Sequence, residues 1–231
     1  MANLIAIMGP AGFGKTTSLL PNEKFGIKGL KPEETFIINV GGKPLPGKGA
    51  MRLYPIDDRK LSEGKNHIIL TNPDEIASLC QAVASNPKIK NLIIDDAGYI
   101  MGFDVIDNAN KRGFDKWTSL AVNFMKVINA AKVARMDLNV IMMFHTEVGK
   151  DERIKIKTAG SMIDTNIYLD GLFTVILECE IRKDGETLKY GFRTKSDGTS
   201  TCKSPAGMFE EDFISNDMGY VLEKMHEYYY G

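Results

Sequence analysis

The chain has 231 residues, of which 43% are hydrophobic and 26% are charged, and its formal net charge is −1. A chain of this size suits one α/β domain with a complete core, so we expect residues 1–231 to form a single domain. A net charge near zero excludes a bulk cationic field of the kind that attracts nucleic acid, but it leaves room for a local basic patch.

Cysteine spacing and hydropathy indicate the compartment. The three cysteines are widely spaced and form no CxxC pair, so neither a disulfide framework nor a zinc site is predicted. Such cysteine usage fits a reducing cytoplasm. No segment approaches the ~20 apolar residues of a membrane span, and the apolar run at 4–8 is too short for the core of a signal peptide. We therefore expect a cytoplasmic protein without a membrane partner.

Short apolar runs alternate with helix-like stretches up to residue 145. Near-continuous apolar character is typical of strands buried on both faces, and it predicts strands at 3–8, 35–40, 66–71, 91–96 and 139–145. Helices are predicted at 73–85, with Asn72 as the candidate N-cap, and at 115–136, where large apolar side chains recur every three or four residues. This alternation predicts an α/β fold with a mostly parallel sheet flanked by helices.

The sequence changes character after residue 145. A polar, lysine-rich stretch leads into two alternating runs that flank residues 183–186, Lys-Asp-Gly-Glu. This pattern predicts an antiparallel β-hairpin near the C-terminus, with a glycine-containing turn. The pattern of residues 216–230 predicts an amphipathic helix as the last element. Residues 41–49, with the sequence GGKPLPGKG, form the most loop-like stretch of the chain.

A phosphate-binding loop is predicted directly after the first strand. Residues 9–16, GPAGFGKT, fit the pattern G-x-x-x-x-G-K-[ST], with a strand before them and a helix-compatible segment after them. The glycines let backbone N–H groups converge on phosphate oxygens, and the following helix adds its positive end. Lys15 is expected to reach the β and γ phosphates of ATP, and the Thr16 hydroxyl to ligate Mg²⁺. The predicted nucleotide-binding residues are Gly9, Pro10, Ala11, Gly12, Phe13, Gly14, Lys15, Thr16 and Thr17.

Acidic and polar residues end the two predicted strands at 91–96 and 139–145. Asp95 is expected to orient Mg²⁺, and Asp96 to orient or deprotonate the attacking water. A loop or helix cap is the structural alternative for this acidic pair. His145 could sense the γ-phosphate, or it could be a strand-end histidine satisfied by the backbone.

Basic residues occur in two segments that follow core strands at the predicted nucleotide edge. In that position they could contact the phosphates of a nucleic-acid strand, and a solvated surface is the alternative. The candidate DNA-binding residues are Lys111, Arg112, Lys150, Arg153, Lys155 and Lys157.

Arg193 and Lys195 lie two residues apart, on one face of the second hairpin strand. In a ring or filament of subunits, this face could reach a neighbour's γ-phosphate, where a cation stabilises the transition-state charge. The alternative is an exposed strand face beside Asp197.

Four segments of the chain resemble the RecA-like core ATPases found in phage recombination modules. They are GPAGFGKTT at 9–17, TFIINVGGKPLP at 35–46, NLIIDDAGYIM at 91–101 and FRTKSDGTSTCKSPAGMF at 192–209. The resemblance implies a RecA-like P-loop fold, hydrolysis of ATP with Mg²⁺, and homo-oligomeric rings or filaments. It also implies annealing or recombination on single-stranded DNA, in a phage-infected bacterial cell, with a single-strand-binding protein as a candidate partner.

One segment departs from the RecA pattern. RecA proteins carry their catalytic glutamate just beyond a core strand, whereas residues 36–40 are followed here by Gly-Gly-Lys-Pro at 41–44. No carboxylate stands there, so Asp96 becomes the better candidate base, and fast hydrolysis is in doubt. A nucleotide-dependent assembly switch with little turnover is therefore the main alternative function. A small-molecule kinase is disfavoured, because the stretch after residue 145 is lysine-rich rather than an arginine-rich lid.

Overall fold

A computed structural model describes residues 2–57, 64–109, 115–159, 163 and 167–231. No helix in these ranges is both long enough and apolar enough to cross a membrane. The strands and α-helices in chain order are β1 Asn3–Met8, β2 Thr35–Asn39, α1 Ala50–Leu53, β3 His67–Ile69, α2 Pro73–Ala84, β4 Asn91–Asp95, α3 Gly98–Asp107, α4 Asp115–Lys132, β5 Asn139–Phe144, β6 Thr146–Val148, β7 Ile154–Ile156, β8 Val175–Asp184, β9 Thr187–Arg193, β10 Phe213–Ser215 and α5 Met218–Tyr230.

Eight of these strands form one sheet in the order β10-β9-β8-β1-β5-β4-β2-β3. The neighbours from β8 to β3 pair in parallel, while β9 runs antiparallel to both β8 and β10. Strands β6 and β7 form a separate antiparallel pair directly after β5. The α/β fold with a mostly parallel sheet and an antiparallel hairpin near the C-terminus is therefore confirmed.

The parallel strands are buried on both faces of the sheet. Successive side chains of a strand point to opposite sides, and each side packs into its own core. In β1, Ala6 and Met8 join a core formed with α2, α3 and α4, whereas Ile5 and Ile7 join a second core formed with α5. All four of these side chains are fully buried. This packing explains why the strand predictions, made from continuous apolar runs, are confirmed to within one or two residues.

The predicted start of α2 and the predicted hairpin turn match the structure, whereas α4 ends at Lys132, four residues before the predicted end at 136. The Asn72 side chain accepts hydrogen bonds from Asp74 N at 3.0 Å and Glu75 N at 3.1 Å, so it caps α2 as expected. Asp184 pairs with Thr187 at the tip of the β8–β9 hairpin, which leaves a two-residue turn with Gly185 in the left-handed region at φ 60°.

The segment after the glycine loop differs from the prediction. Instead of a regular helix, it forms a four-residue 3-10 turn, Thr16–Leu19, and Leu20 is already extended at φ −96° and ψ 128°. Proline at position 21 explains this ending, because a residue before proline is driven out of the helical region. A turn this short lacks the summed dipole of a long helix, so the predicted contribution of a positive helix end is wrong.

Candidate nucleotide-binding site

The parallel register brings the ends of three strands to one edge of the sheet. Met8 pairs with Phe144, so the glycine loop after β1 and His145 after β5 start side by side. Ile94 pairs with Met142, which places Asp95 and Asp96 next to them at the end of β4. Ligands of open α/β sheets bind in the crevice outside the carboxyl ends of the strands. The structure therefore places the predicted phosphate, metal and water-activating residues along one crevice.

The glycine loop turns sharply over this edge. Gly12 and Gly14 have φ angles of 80° and 89°, in the left-handed region. A Cβ atom at Gly14 would also lie 2.5 Å from Asn216 Nδ2, so only glycine fits there. The Asn216 side chain donates from that nitrogen to the Gly14 carbonyl oxygen at 3.0 Å. The loop is thus held by a residue from the segment between β10 and α5.

Lys15 is the buried cation of the loop, with 7% of its surface exposed. Its Nζ donates to the carbonyl oxygens of Gly9 at 2.7 Å and Pro10 at 2.9 Å. Burial lowers the pKa of Lys15, while the nearby carboxylates of Asp95 and Asp96 act in the opposite direction. An additional anion beside this ammonium would stabilise its charged form.

Thr16 and Asp95 form a pair of oxygen ligands. The Thr16 hydroxyl lies 3.1 Å from Asp95 Oδ1 and 3.0 Å from Oδ2. Burial raises the pKa of Asp95 to about 6, and the neighbouring charge of Asp96 adds to this effect. A cation at this position would restore the ionised form, and hydroxyl and carboxylate oxygens are ligands that Mg²⁺ prefers. The donor set therefore fits a magnesium ion.

Asp96 is the central acidic residue of the crevice, and it adopts a left-handed conformation with φ 57°. Its Oδ2 lies 2.8 Å from Lys43 Nζ, and its Oδ1 lies 3.4 Å from His145 Nε2. A Cβ atom at Gly41 would lie 2.6 Å from Oδ2, so the chain after β2 passes very close to this carboxylate. Both oxygens of the candidate base thus have a basic neighbour.

His145 carries a buried nitrogen that is not satisfied. Its Nε2 makes no hydrogen bond to any described residue, because the contact with Asp96 lacks the alignment that a hydrogen bond needs. Burial lowers the pKa of His145, and the Lys15 ammonium acts in the same direction, so the imidazole is neutral at pH 7. Buried polar atoms are nearly always paired in native proteins. An orphaned nitrogen at this edge fits a missing ligand oxygen.

A cavity of about 650 Å³ adjoins the glycine loop on the side away from Asp96. Gly12, Gly14 and Thr17 form one wall of it, and the aromatic rings of Phe25, Tyr190 and Phe213 contribute to the others. Phe25 and Tyr190 are 67% and 45% exposed, so both side chains are accessible to a ligand in the cavity. This combination fits a planar base attached to phosphates on the loop.

Arg193 lies on the same sheet edge but outside the crevice. Its partner in the β8–β9 ladder is Glu178, which in turn pairs with Met8, so Arg193 is two strands, about 10 Å, from the end of β1. Its Nε donates to Glu180 Oε1 at 3.0 Å, and its Nη1 to Asp197 Oδ1 at 3.1 Å. The guanidinium is therefore paired within its own chain.

Lys195 and the described candidate DNA-binding residues come from segments other than the glycine loop and β4. Lys195 is exposed and pairs with Asp212 at 3.1 Å. Lys111 and Arg112 lie outside the described residues. The remaining four cations, Lys150, Arg153, Lys155 and Lys157, belong to the β6–β7 hairpin and the residue after it.

The β6–β7 hairpin is attached directly to the phosphate edge, because the Lys157 N–H donates to the His145 carbonyl oxygen at 2.9 Å. Its charge is mixed rather than purely basic. Arg153 pairs with Asp151 at 2.7 Å, and Lys155 with Glu147 at 3.2 Å. These acidic neighbours reduce the positive field that the sequence pattern suggests.

Sequence reasoning missed two residues of the site. Lys43 belongs to the Gly-Gly-Lys-Pro segment, which was noted only for its lack of a carboxylate. Asn216 carried no signal at all, because its role depends on a contact across 202 positions of sequence. Both contacts arise from tertiary structure.

The glycine loop after β1, the acidic end of β4 and the intervening strand β5 belong to one mostly parallel α/β sheet that carries a P-loop sequence motif at its carboxyl edge. No protein-family model matches the chain. No curated protein sequence matches it significantly. Among solved structures, the chain is similar to a KaiC-like protein from the hyperthermophilic archaeon Pyrococcus horikoshii OT3, with 14% identity and a TM-score of 0.45 over 82% of this chain and 76% of that chain.

Proposed function

We propose that the protein is a RecA-like ATPase that binds ATP with Mg²⁺ and acts on single-stranded DNA as a homo-oligomer. The observation that carries the proposal is the convergence of three groups at one sheet edge. These are the buried Lys15 ammonium, the Thr16–Asp95 oxygen pair and the unsatisfied Nε2 of His145. An anion would satisfy the Lys15 ammonium, a divalent cation the Thr16–Asp95 pair, and a phosphate oxygen the Nε2 of His145.

Each residue of the crevice has a role in this proposal. Loop residues 9–17 bind the phosphates, and Lys15 reaches the β and γ phosphates. Thr16 and Asp95 hold Mg²⁺, which when bound offsets the negative charge of the phosphates. The neutral His145 donates to the γ-phosphate and couples its presence to the β6–β7 hairpin. The base lies in the cavity between Phe25 and Tyr190.

Asp96 is the proposed general base for the attacking water. Its carboxylate must accept a proton, yet the Lys43 ammonium already contacts Oδ2 at 2.8 Å. The ammonium must leave Oδ2 before that oxygen can bind the attacking water. Turnover is therefore slow in this proposal, unless DNA or a neighbouring subunit rearranges these contacts.

Single-stranded DNA is the proposed partner because the β6–β7 hairpin, which carries the cations Lys150, Arg153 and Lys155, starts directly after His145. In addition to the hairpin cations, Lys111 and Arg112 are proposed to contact phosphates. Annealing or recombination in a phage context, with a single-strand-binding protein, is proposed from the sequence resemblance alone.

The first experiment compares nucleotide binding and turnover. We expect a fluorescent ATP analogue to bind with Mg²⁺, and a Lys15→Ala variant to lose at least about tenfold in affinity, whereas the exposed control Lys88→Ala binds normally. ATP hydrolysis should rise with single-stranded DNA at low salt and less with double-stranded DNA. Equal rates with and without DNA would exclude the DNA role, and unchanged binding by Lys15→Ala would exclude the nucleotide site.

The contacts on Asp96 also favour a second function, a nucleotide-dependent assembly switch. A carboxylate whose Oδ2 is held by the Lys43 ammonium suits a site that binds ATP and turns it over slowly. Light scattering with ATP, with ADP and without nucleotide separates the two functions. Assembly with ATP and no measurable turnover, even with DNA, would support the switch and contradict the ATPase.

A further inference from the structure

Lys43 occupies the position after β2 where the sequence lacks a carboxylate, and its backbone is firmly anchored. Asn39, the last residue of β2, donates from Nδ2 to the Lys43 carbonyl oxygen at 2.6 Å. The same side chain accepts from Gly42 N at 2.8 Å. Asn39 thus closes the turn that presents Lys43 to the crevice.

The Asn39 side chain is itself buried, and it contacts a second buried residue. Asn39 is 2% exposed, and its Nδ2 lies 3.1 Å from Nε2 of the fully buried His67. His67 Nδ1 lies 3.4 Å from the Tyr54 carbonyl oxygen. Burial lowers the pKa of His67, so the ring is neutral and its Nε2 can accept from the Asn39 amide. An ion pair with an exposed ammonium, such as Lys43–Asp96, contributes little to stability, so stability alone does not explain the buried support from Asn39 and His67.

The side chain of Lys43 lies at the open mouth of the crevice. Its ammonium is 2.8 Å from Asp96 Oδ2 and 5.8 Å from the centre of the Tyr99 ring, while 65% of the side chain is exposed. Its charge also acts on the pKa values of Lys15 and His145, which it lowers. The ammonium therefore lies within electrostatic range of both residues that border the phosphate site.

Charge balance in the crevice calls for a further cation once a triphosphate binds. Asp95 and Asp96 bring two carboxylates, and the γ-phosphate would add further negative charge beside them. Lys15 and Mg²⁺ face the β and γ phosphates on the loop side. On the Asp96 side, the cation that the described residues supply is the Lys43 ammonium.

We propose that Lys43 binds the γ-phosphate from its position beside Asp96, and so distinguishes a nucleoside triphosphate from a diphosphate. This inference rests on the proposed function, since it assigns one more residue to the same nucleotide site. Binding of the γ-phosphate shares the ammonium between two anions. The Asp96–Lys43 pair is thereby weakened, and Asp96 Oδ2 becomes available to a water molecule when the triphosphate is present.

The test compares two affinities in the presence of Mg²⁺, for ADP and for the slowly hydrolysed analogue AMP-PNP. Lys43→Gln removes the charge and keeps an N–H donor, on a side chain that is one bond shorter. Lys43→Arg keeps the charge, and Lys48→Ala removes an exposed lysine from the same loop as a control. Calorimetric titration gives both dissociation constants for each protein, and thermal unfolding verifies the fold.

We expect Lys43→Gln to weaken AMP-PNP binding by about tenfold and to leave ADP binding within about twofold of the wild type. Lys43→Arg should recover most of the loss, and Lys48→Ala should match the wild type. An unchanged ratio of the two dissociation constants in a folded Lys43→Gln protein would overturn the role of Lys43, even if Lys15→Ala confirms the nucleotide site. Failure of the wild type to bind either nucleotide would overturn the proposed function and this inference together.

Discussion

Asn216 Nδ2 donates to the Gly14 carbonyl oxygen at 3.0 Å and joins the glycine loop to the segment before α5. Asn216 is only 3% exposed, so water cannot easily replace this bond. The next residue, Asp217, connects the same two regions. Its carboxylate accepts from Lys28 N at 2.8 Å and from Gly29 N at 3.0 Å, while it also caps α5. Two adjacent residues near the C-terminus therefore position the loop and the segment that follows it.

Replacement of Asn216 by alanine should weaken nucleotide binding without unfolding the protein. The Gly14 carbonyl loses its donor, and the loop gains freedom that phosphate binding must then remove. We expect a loss in ATP affinity of about fivefold to tenfold, measured with a fluorescent analogue. The control is Asn129→Ala on the exposed face of α4. Equal affinities for the two variants would contradict a role of Asn216 in the site.

Replacement of Asp217 by alanine should destabilise the fold. Four backbone N–H groups, those of residues 28, 29, 219 and 220, lose their acceptor. We expect a decrease in the free energy of unfolding of about 2–3 kcal/mol, which corresponds to roughly 5–10 °C in Tm for a chain of this size. Glu223→Ala removes only the exposed ion pair with Lys28 and should change Tm by less than about 2 °C. Similar losses in both variants would exclude this explanation.

Stability should depend on pH through Glu178, a buried residue whose Oε2 makes no hydrogen bond to a described residue. Burial raises the pKa of Glu178 above its ordinary value of 4.5, although the Arg193 charge opposes the shift. Folding therefore favours the protonated form of Glu178. The stability gained from this protonation is complete below pH 4.5, and it is lost as the pH rises through the higher pKa of the folded state.

Glu178→Gln removes this titration and keeps the side-chain volume, while Arg193 retains Glu180 and Asp197 as partners. We expect the difference in Tm between the variant and the wild type to grow from pH 5 to pH 8. At pH 8 the variant should be more stable by about 1 kcal/mol, or roughly 2–4 °C. Thermal unfolding across this range measures the effect, and a difference independent of pH would contradict it.

A role of Arg193 in the site of a neighbouring subunit can be tested by mixing two inactive proteins. Lys15→Ala lacks the cation of its own site, and Arg193→Ala lacks the group offered to the neighbour. Random assembly of equal amounts should restore about a quarter of the wild-type ATPase rate, since a quarter of the interfaces combine both intact residues. Lys183→Ala, at the exposed hairpin tip, should be fully active alone. No recovery in a mixture that still assembles would contradict the intersubunit role.

The sequence predicts those parts of the molecule that local patterns determine. Five parallel strands, the Asn72 cap and the hairpin turn follow from runs of apolar residues and from single turn residues. The helix after the glycine loop was predicted wrongly, because the loop motif was given more weight than Pro21. The hydrogen bond of Asn216 and the ion pair of Lys43 lie beyond local reasoning, since each joins residues that only the folded sheet brings together. Lys43 had one indirect signal, the missing carboxylate after β2.

The short 3-10 turn at Thr16–Leu19 has a consequence for how this site responds to its surroundings. Peptide dipoles are fixed and cannot be modified, but ammonium groups can be screened, acetylated or displaced. With little help from helix dipoles, a phosphate at this loop would be attracted mainly by lysine side chains, the buried Lys15 and the more exposed Lys43. Screening at physiological ionic strength acts over about 8 Å, so changes in salt reach this residue far more strongly than the buried Lys15. The affinity for a nucleotide bound there would therefore depend on the ionic strength of the solution.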